Sequence, residues 1–235
     1  MTTPEIMDAL RSMGSASVKR LFENHGNVEH SFGVKIGDLK TIQKKLKKNH
    51  ALSLELFDTG NTDARYLAGL IADEKQITAD DLRHWLRTTR SAMILEYTIP
   101  WVAAESRHGW ALGTEWIDAS DPGTQAVGWS TLSSVVSLVP DDVLDIAALR
   151  GLLDRVEHGI GTAQNRVRYV MNGFVIAVGC YVAPLSTEAM QVGKRLGKIS
   201  VDLNGTACKV PDAPGYIQKV AARGTIGKKK KMARC

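Results

Sequence analysis

Residues 165–184, NRVRYVMNGFVIAVGCYVAP, decide the fold class. No charged residue occurs between Arg168 and Glu188, and a helix apolar on nearly every side is either a membrane span or the centre of a large core. Asn172, Gly173, Gly179 and the stop at Pro184 leave it short of the roughly 20 strongly apolar residues that cross a bilayer, so it reads as a core helix. Its small residues let neighbouring helices come close. Arg166, Arg168 and Tyr169 place two cations and an aromatic at its entrance, the first place to look for function.

The rest of the chain supplies helices to surround it. Upstream, Thr3-Pro4 reads as a capped helix start and Gly14 as its stop, and Ser15 opens a second short helix ending near Gly26. Ile36, Leu39, Ile42 and Leu46 recur at helical spacing, with Lys40, Lys44, Lys47 and Lys48 on the opposite side, a face that is either solvated or set beside a phosphate backbone. Asn49 caps a further helix, and others run from Thr62 and Thr78. The pattern from Ser91 to Ser106 is helical but divided by Pro100, which lacks the amide a helix interior needs. Starts follow at His108, Asp121-Pro122 and Asp145. The sum is about a dozen helices joined by short turns: an all-α chain, a solenoid of antiparallel helix pairs or a compact bundle. One strand-like patch, Ile199 to Leu203, precedes Asn204-Gly205 and a return through Val210, a hairpin signal. Asp212 and Pro214 open a last helix. The expected organisation is one helical domain over residues 1–224 and a free basic tail over 225–235.

Composition narrows the function classes. With 44% hydrophobic and 23% charged residues over 235 positions, the chain is ordinary globular protein. The start, MTTPEIMDALRSMG, has no signal-peptide pattern, which makes the cytoplasm the expected location and a membrane partner unexpected. Cys180, Cys208 and Cys235 are far apart and form no metal-ligand pattern, so reduced thiols and no metal are expected. The net charge is +5, but residues 198–235 carry nine cations against Asp202 and Asp212, a local +7 that leaves −2 for everything before them. A compact lysine cluster at Lys228, Lys229, Lys230 and Lys231 suggests a polyanion, nucleic acid first among them, or a solubilising tail.

No GxGxxG, Walker A, GxSxG or HExxH motif is present, which removes the common cofactor, nucleotide and hydrolase chemistries. What remains is a concentration of aromatics and acids from Glu96 to Trp129, holding four of the five tryptophans. Trp116 and Trp129 read as core. Tyr97, Trp101 and Glu105 lie four residues apart, along one helical face if Pro100 allows it. Aromatic faces attract a cationic alkylated purine, and a carboxylate stabilises the positive charge that develops on the sugar when its glycosidic bond breaks.

FGVKIGDLKTIQKKL and LELFDTGNTDARYLAGLIAD in the first third resemble the N-terminal signature of the DNA alkylation repair family, the HEAT-repeat DNA glycosylases of the AlkD type. IPWVAAES, GWALGTEWIDASD, VRYVMNGFVIAVGCYVAPL, VDLNGTACKVP and GKKKKMARC extend the resemblance to one bacterial branch and to most of the chain. It implies a HEAT-like α-solenoid whose concave basic face holds double-stranded DNA, and excision of cationic alkylpurines without metal or cofactor. By position, Tyr97 and Trp101 stand where the glycosylases carry a tryptophan and the catalytic aspartate. Phe174 stands for the tryptophan of the long helix, and the arginine expected near Val127 to Trp129 has no counterpart. The aspartate is therefore missing, with Glu105 one turn further along as the substitute acid.

The expected site is thus Glu105 as catalytic acid, with Tyr97, Trp101 and Phe174 facing the lesion. Arg166, Arg168, Tyr169 and Lys228 to Lys231 are expected on DNA, in a monomer. Two alternatives stay open: a non-catalytic binder of distorted or branched DNA, and a protein-binding scaffold.

Overall fold

The structure, a computed structural model, describes residues 1–203, 205 and 209–234. Its packing forms two compact units, residues 1–108 with Arg234, and residues 109–233. Among the described residues there are thirteen α-helices and no strand. Ile199 to Leu203 is irregular, and Asn204 with Thr206 to Cys208, the tip and return of the expected hairpin, lie outside the described residues.

The first unit contains α1 (Thr3–Met13), α2 (Ala16–Asn24), α3 (Ile36–Leu46), α4 (His50–Asp58), α5 (Thr62–Ile71), α6 (Ala79–Thr88) and α7 (Ile99–Glu105). Short polar side chains begin most of them. Asn49 and Asn61 accept from the amides of Leu52 and Ala64, and Thr78 closes a reciprocal capping box with Asp81. The first cap is Thr2 rather than Thr3; its amide donates to Glu5 at 2.8 Å.

Helix α5 is buried along its whole length, so its polar side chains must find partners inside the protein. Asp63 accepts from the amides of Phe32, Gly33 and Val34 at 2.6, 3.2 and 2.9 Å, fixing the loop that leads into α3. Burial raises its carboxyl above the ordinary range against the downward pull of those three donors. Arg65 pairs with Glu29 at 2.7 Å and donates to the carbonyls of Phe57 and Thr88. The signature TDAR is therefore a structural brace. Phe57 stacks on Trp85 with centroids 4.2 Å apart, joining α4 to α6.

Pro100 does divide the Ser91 to Ser106 helix, through a change of helical pitch rather than a loop. Residues Ile94–Thr98 form a π-helical turn in which the Ile99 amide reaches back to the Ile94 carbonyl, and Pro100 then sits in the first turn of α7, where it costs no hydrogen bond.

The second unit contains α8 (Gly109–Ile117), α9 (Pro122–Leu138), α10 (Ile146–Gly159), α11 (Asn165–Tyr181), α12 (Ser186–Leu196) and α13 (Ala213–Ala222). Helix α11 is its core, packed on α9, α10, α12 and α13. It stops before Pro184, and a 3₁₀ turn, Ala183–Leu185, leads into α12, which the sequence reading had not separated. Gly128 lets α9 lie directly on α8: a Cβ there would stand 2.6 Å from the Ile117 amide nitrogen and 2.9 Å from the Gly113 carbonyl oxygen. No single helix among the described residues is long and apolar enough to cross a membrane. Cys180 is a free thiol inside this core, and burial pushes it up to about 11. Cys208 and Cys235 lie outside the described residues.

Candidate nucleic-acid interface

In the first unit, the π-helical turn and α7 present Tyr97 and Trp101 one above the other. Tyr97 is 45% exposed and Trp101 only 8%, with ring centroids 5.7 Å apart. Tyr66 of α5 meets Trp101 edge-on, also at 5.7 Å. Tyr97 is thus the outer ring of an aromatic cluster, tilted 51° to Trp101, and Trp101 supports it from beneath rather than offering its own face to a ligand.

Glu105 ends α7, and its carboxylate is engaged by Arg234. The Arg234 backbone amide, Nε and Nη2 approach its two oxygens at 3.2, 2.8 and 2.5 Å. Nη1 of the same guanidinium donates to the carbonyls of Gly69, Leu70 and Ala72 at 3.1 to 3.2 Å, and Nη2 also reaches Glu74 at 3.3 Å. Those carbonyls belong to the end of α5 and its C-cap Ala72, where no further helical amide follows to donate to them; Leu70 also accepts from Gln43 Nε2 at 3.2 Å. Arg234 therefore caps a buried helix end with a full positive charge where the helix dipole is negative. Burial works to raise the Glu74 carboxyl, but the Lys48 hydrogen bond and the nearby Arg234 charge outweigh it and hold it below its usual value.

The second unit holds the other expected contacts. Phe174 is fully buried and packs on Trp129 with centroids 5.1 Å apart, in the middle of the core. The reading of Phe174 as a lesion-facing residue is corrected accordingly: α9 covers the side of α11 on which it lies. Arg168 donates to the carbonyls of Ser200, Ala163 and Gly161, clamping the start of α11 to its flanking loops. The Arg166 guanidinium lies 4.8 Å over the half-buried Tyr169 ring.

The lysine tail does not hang free. Lys229 pairs with Asp141 at 2.7 Å and donates to the Val136 carbonyl at 2.9 Å, and the Lys230 amide donates to Ser137. The Lys230 ammonium sits 5.3 Å from the centre of the Tyr181 ring. Pinned this way, the segment turns Lys228, Lys230 and Lys231 outward and Lys229 inward.

Two residues escaped the sequence reading. Arg234 lies in a basic run with no periodic signal, and nothing in that run distinguishes it from its neighbours. Arg155 of α10 stands 5.8 Å over the Trp129 ring and pairs with Asp118 at 2.5 Å, which brings an arginine to Trp129 from a distant part of the chain. Among the described residues no group of three or more His, Cys, Asp or Glu side chains is gathered to hold a metal ion.

The family model for DNA alkylation repair enzymes matches residues 6–199. The chain belongs to the DNA alkylation repair enzyme family. It is 33% identical over 230 residues to an uncharacterized Listeria monocytogenes protein and 31% identical over 230 residues to one of Listeria innocua. Each match covers 95% of this chain and 99% of the relative. It also matches, with a TM-score of 0.91, 30% identity and full coverage of both chains, a solved structure. That protein is described as one of a new family related to the HEAT-like repeat DNA glycosylases, with affinity for branched DNA structures. Within the alkylation repair family this chain has the HEAT-like all-α fold. Its family signature is occupied with holding α5 in place, and that use of Asp63 and Arg65 could not have been distinguished from chemistry by residue type alone.

Proposed function

We propose that this member of the DNA alkylation repair family binds branched or distorted DNA by shape and excises no base. Binding is supported by family membership and by full-length likeness to a protein with affinity for branched DNA. The observation that favours shape recognition over excision is the pairing of Glu105. A carboxylate that assists glycosidic cleavage must direct its negative charge at the sugar as positive charge develops there. Glu105 directs its charge at Arg234, 2.5 Å away, in a place where its side chain is 12% exposed. The aromatic set is reduced in the same way, since Trp101 and Phe174 are buried and Tyr97 alone is broadly exposed. In this reading Tyr97 stacks on an unpaired base at a branch point. Arg166 and the outward Lys228, Lys230 and Lys231 meet phosphate in this reading.

The experiment pairs two measurements on the same preparation. Binding to a four-way junction and to linear duplex of equal length is followed by mobility shift at fixed salt. Release of 7-methylguanine and 3-methyladenine from methylated duplex is followed by chromatography, with wild type and Glu105→Gln. The junction should bind about tenfold or more tighter, a difference of about 1.4 kcal/mol, with no release from either protein. Release that Glu105→Gln abolishes would replace this reading with a glycosylase using a relocated acid.

A further inference from the structure

We infer that the outward face of α3, with Lys40, Lys44 and Lys45 set around Gly37 and Thr41, is a contact site for the phosphate backbone of DNA. The inference rests on the DNA-binding reading and assigns it a surface in the first unit.

The charge is concentrated well beyond what composition requires. Residues 35–48 hold six lysines against Asp38, a local +5, whereas residues 1–197 as a whole sum to −2. Everything else in that span therefore sums to −7. Leu39 and Ile42 are buried beneath α3, which packs on α5, and this turns Lys44 and Lys45 outward with Lys35, Lys47 and Lys48 beside them. Among the described residues Lys48, bonded to Glu74, is the one lysine of the six held in an ion pair. Like charges this close repel one another; the phosphates of a polyanion offset that repulsion, and the counterions the lysines displace from it add to the driving force.

A cluster of lysines alone would be a solvated face. Gly37 adds a second, independent observation. It lies in the first turn of α3 with ordinary helical backbone, and a Cβ added there would meet nothing within 4 Å. Neither a left-handed conformation nor close packing inside the protein requires glycine, although glycine costs a helix interior up to about 1 kcal/mol relative to alanine. The missing side chain leaves room there for close approach of a group from outside. One turn on, the exposed Thr41 donates its hydroxyl to the Gly37 carbonyl at 3.2 Å and continues the same low strip. At 100° per residue Lys40 and Lys44 border one side of this strip and Lys45 the other. The helix also begins at Lys35, which offers no side-chain acceptor to the first-turn amides, so a phosphate oxygen can take that place. A low strip bordered by Lys40 and Lys44 on one side and by Lys45 above Asp38 on the other suits one strand of a sugar–phosphate backbone that runs on the lysine side of the helix end.

The test uses the full chain and a fluorescent four-way junction, with the salt dependence of binding as the readout. Compared are wild type, the exposed triple variant Lys44→Gln/Lys45→Gln/Lys47→Gln, and Gly37→Ala. Each phosphate contact contributes about 0.9 to the slope of log K against log salt, so the triple variant should lose up to about 2.7 from that slope and bind about 10- to 100-fold more weakly near 0.1 M salt. Gly37→Ala should melt no lower than wild type while binding more weakly, a split that a purely structural glycine would not give. A wild-type slope retained by the triple variant, or unchanged affinity in Gly37→Ala, overturns the assignment while leaving DNA binding intact. Wild type that binds no DNA at any salt overturns the DNA reading and this site with it.

Discussion

Replacing Arg234 with alanine isolates the largest single electrostatic commitment in the first unit. The Arg234 side chain is 6% exposed, and its principal partner Glu105 is 12% exposed, so the pair is screened little by solvent. Removing one member of a buried, hydrogen-bonded pair costs about 3–5 kcal/mol, because the remaining charge stays behind without compensation. The carbonyls of Gly69, Leu70 and Ala72 lose the guanidinium at the same time, Leu70 keeping its bond from Gln43 Nε2. Alanine also leaves a space through which water reaches Glu105 and Glu74, so the lower figure, about 3 kcal/mol, is expected. Urea unfolding followed by circular dichroism reads this directly: with a slope of about 1.5–2 kcal/mol per molar, the midpoint of the first unit's transition should fall by about 1.5–2 M. Arg234→Lys should recover less than half, since a point charge cannot serve a carboxylate and three carbonyls together. In a double-mutant cycle with Glu105→Gln, the coupling should be about 1–3 kcal/mol. A midpoint within experimental scatter of wild type, or a coupling of zero, would refute the reasoning and return Glu105 to the status of an available acid.

Asp63 predicts a pH dependence. Its carboxyl is raised in the folded protein, so the fold binds that proton more tightly than the unfolded chain does, and the group's contribution is fully present below its unfolded pKa and lost as pH rises through the folded value. The stability of wild type relative to Asp63→Asn should therefore shrink as pH rises above the ordinary carboxylate range, about 4, and paired urea titrations that show it constant or growing would contradict this. Gly128→Ala should cost about 3 kcal/mol or more, because the added carbon meets backbone atoms of Ile117 and Gly113 that cannot rotate away. Thermal melting that leaves this variant unchanged would mean α8 and α9 are not packed as described.

Much of the fold was legible because its signals are local. Asn49, Thr78, Asp121 and Asp145 each accept from an amide three residues ahead, and that geometry is complete within one turn of chain. The charge-free run of α11 likewise announced a core helix without reference to anything else. The site was legible only as a list of residue types. Tyr97, Trp101, Glu105 and Phe174 carry the right chemistry in the sequence, but whether each faces solvent depends on partners far away: Tyr66 for Trp101, Trp129 for Phe174, Arg234 for Glu105. Side chains of one type can be wall, core or ligand, and periodicity does not separate these. The π-helical turn escaped for a related reason, since Pro100 signals a broken helix but not whether the break is met by a loop or by a widened turn.

The contact between Arg234 and α5 also carries a consequence for biosynthesis. The carbonyls it caps lie 162 to 165 positions earlier in the chain, and Glu105 lies 129 earlier. At about 5–20 residues per second, the end of α5 leaves the ribosome roughly 10 to 30 s before the residue that completes it. Throughout that interval the nascent first unit lacks the guanidinium that pairs with Glu105, beside an unfinished helix end, while Glu74 has only Lys48 for a partner. The step that completes the first unit therefore waits for a segment made long after the helix it caps, and chaperones that hold emerging chains meet the unit before Arg234 is in place.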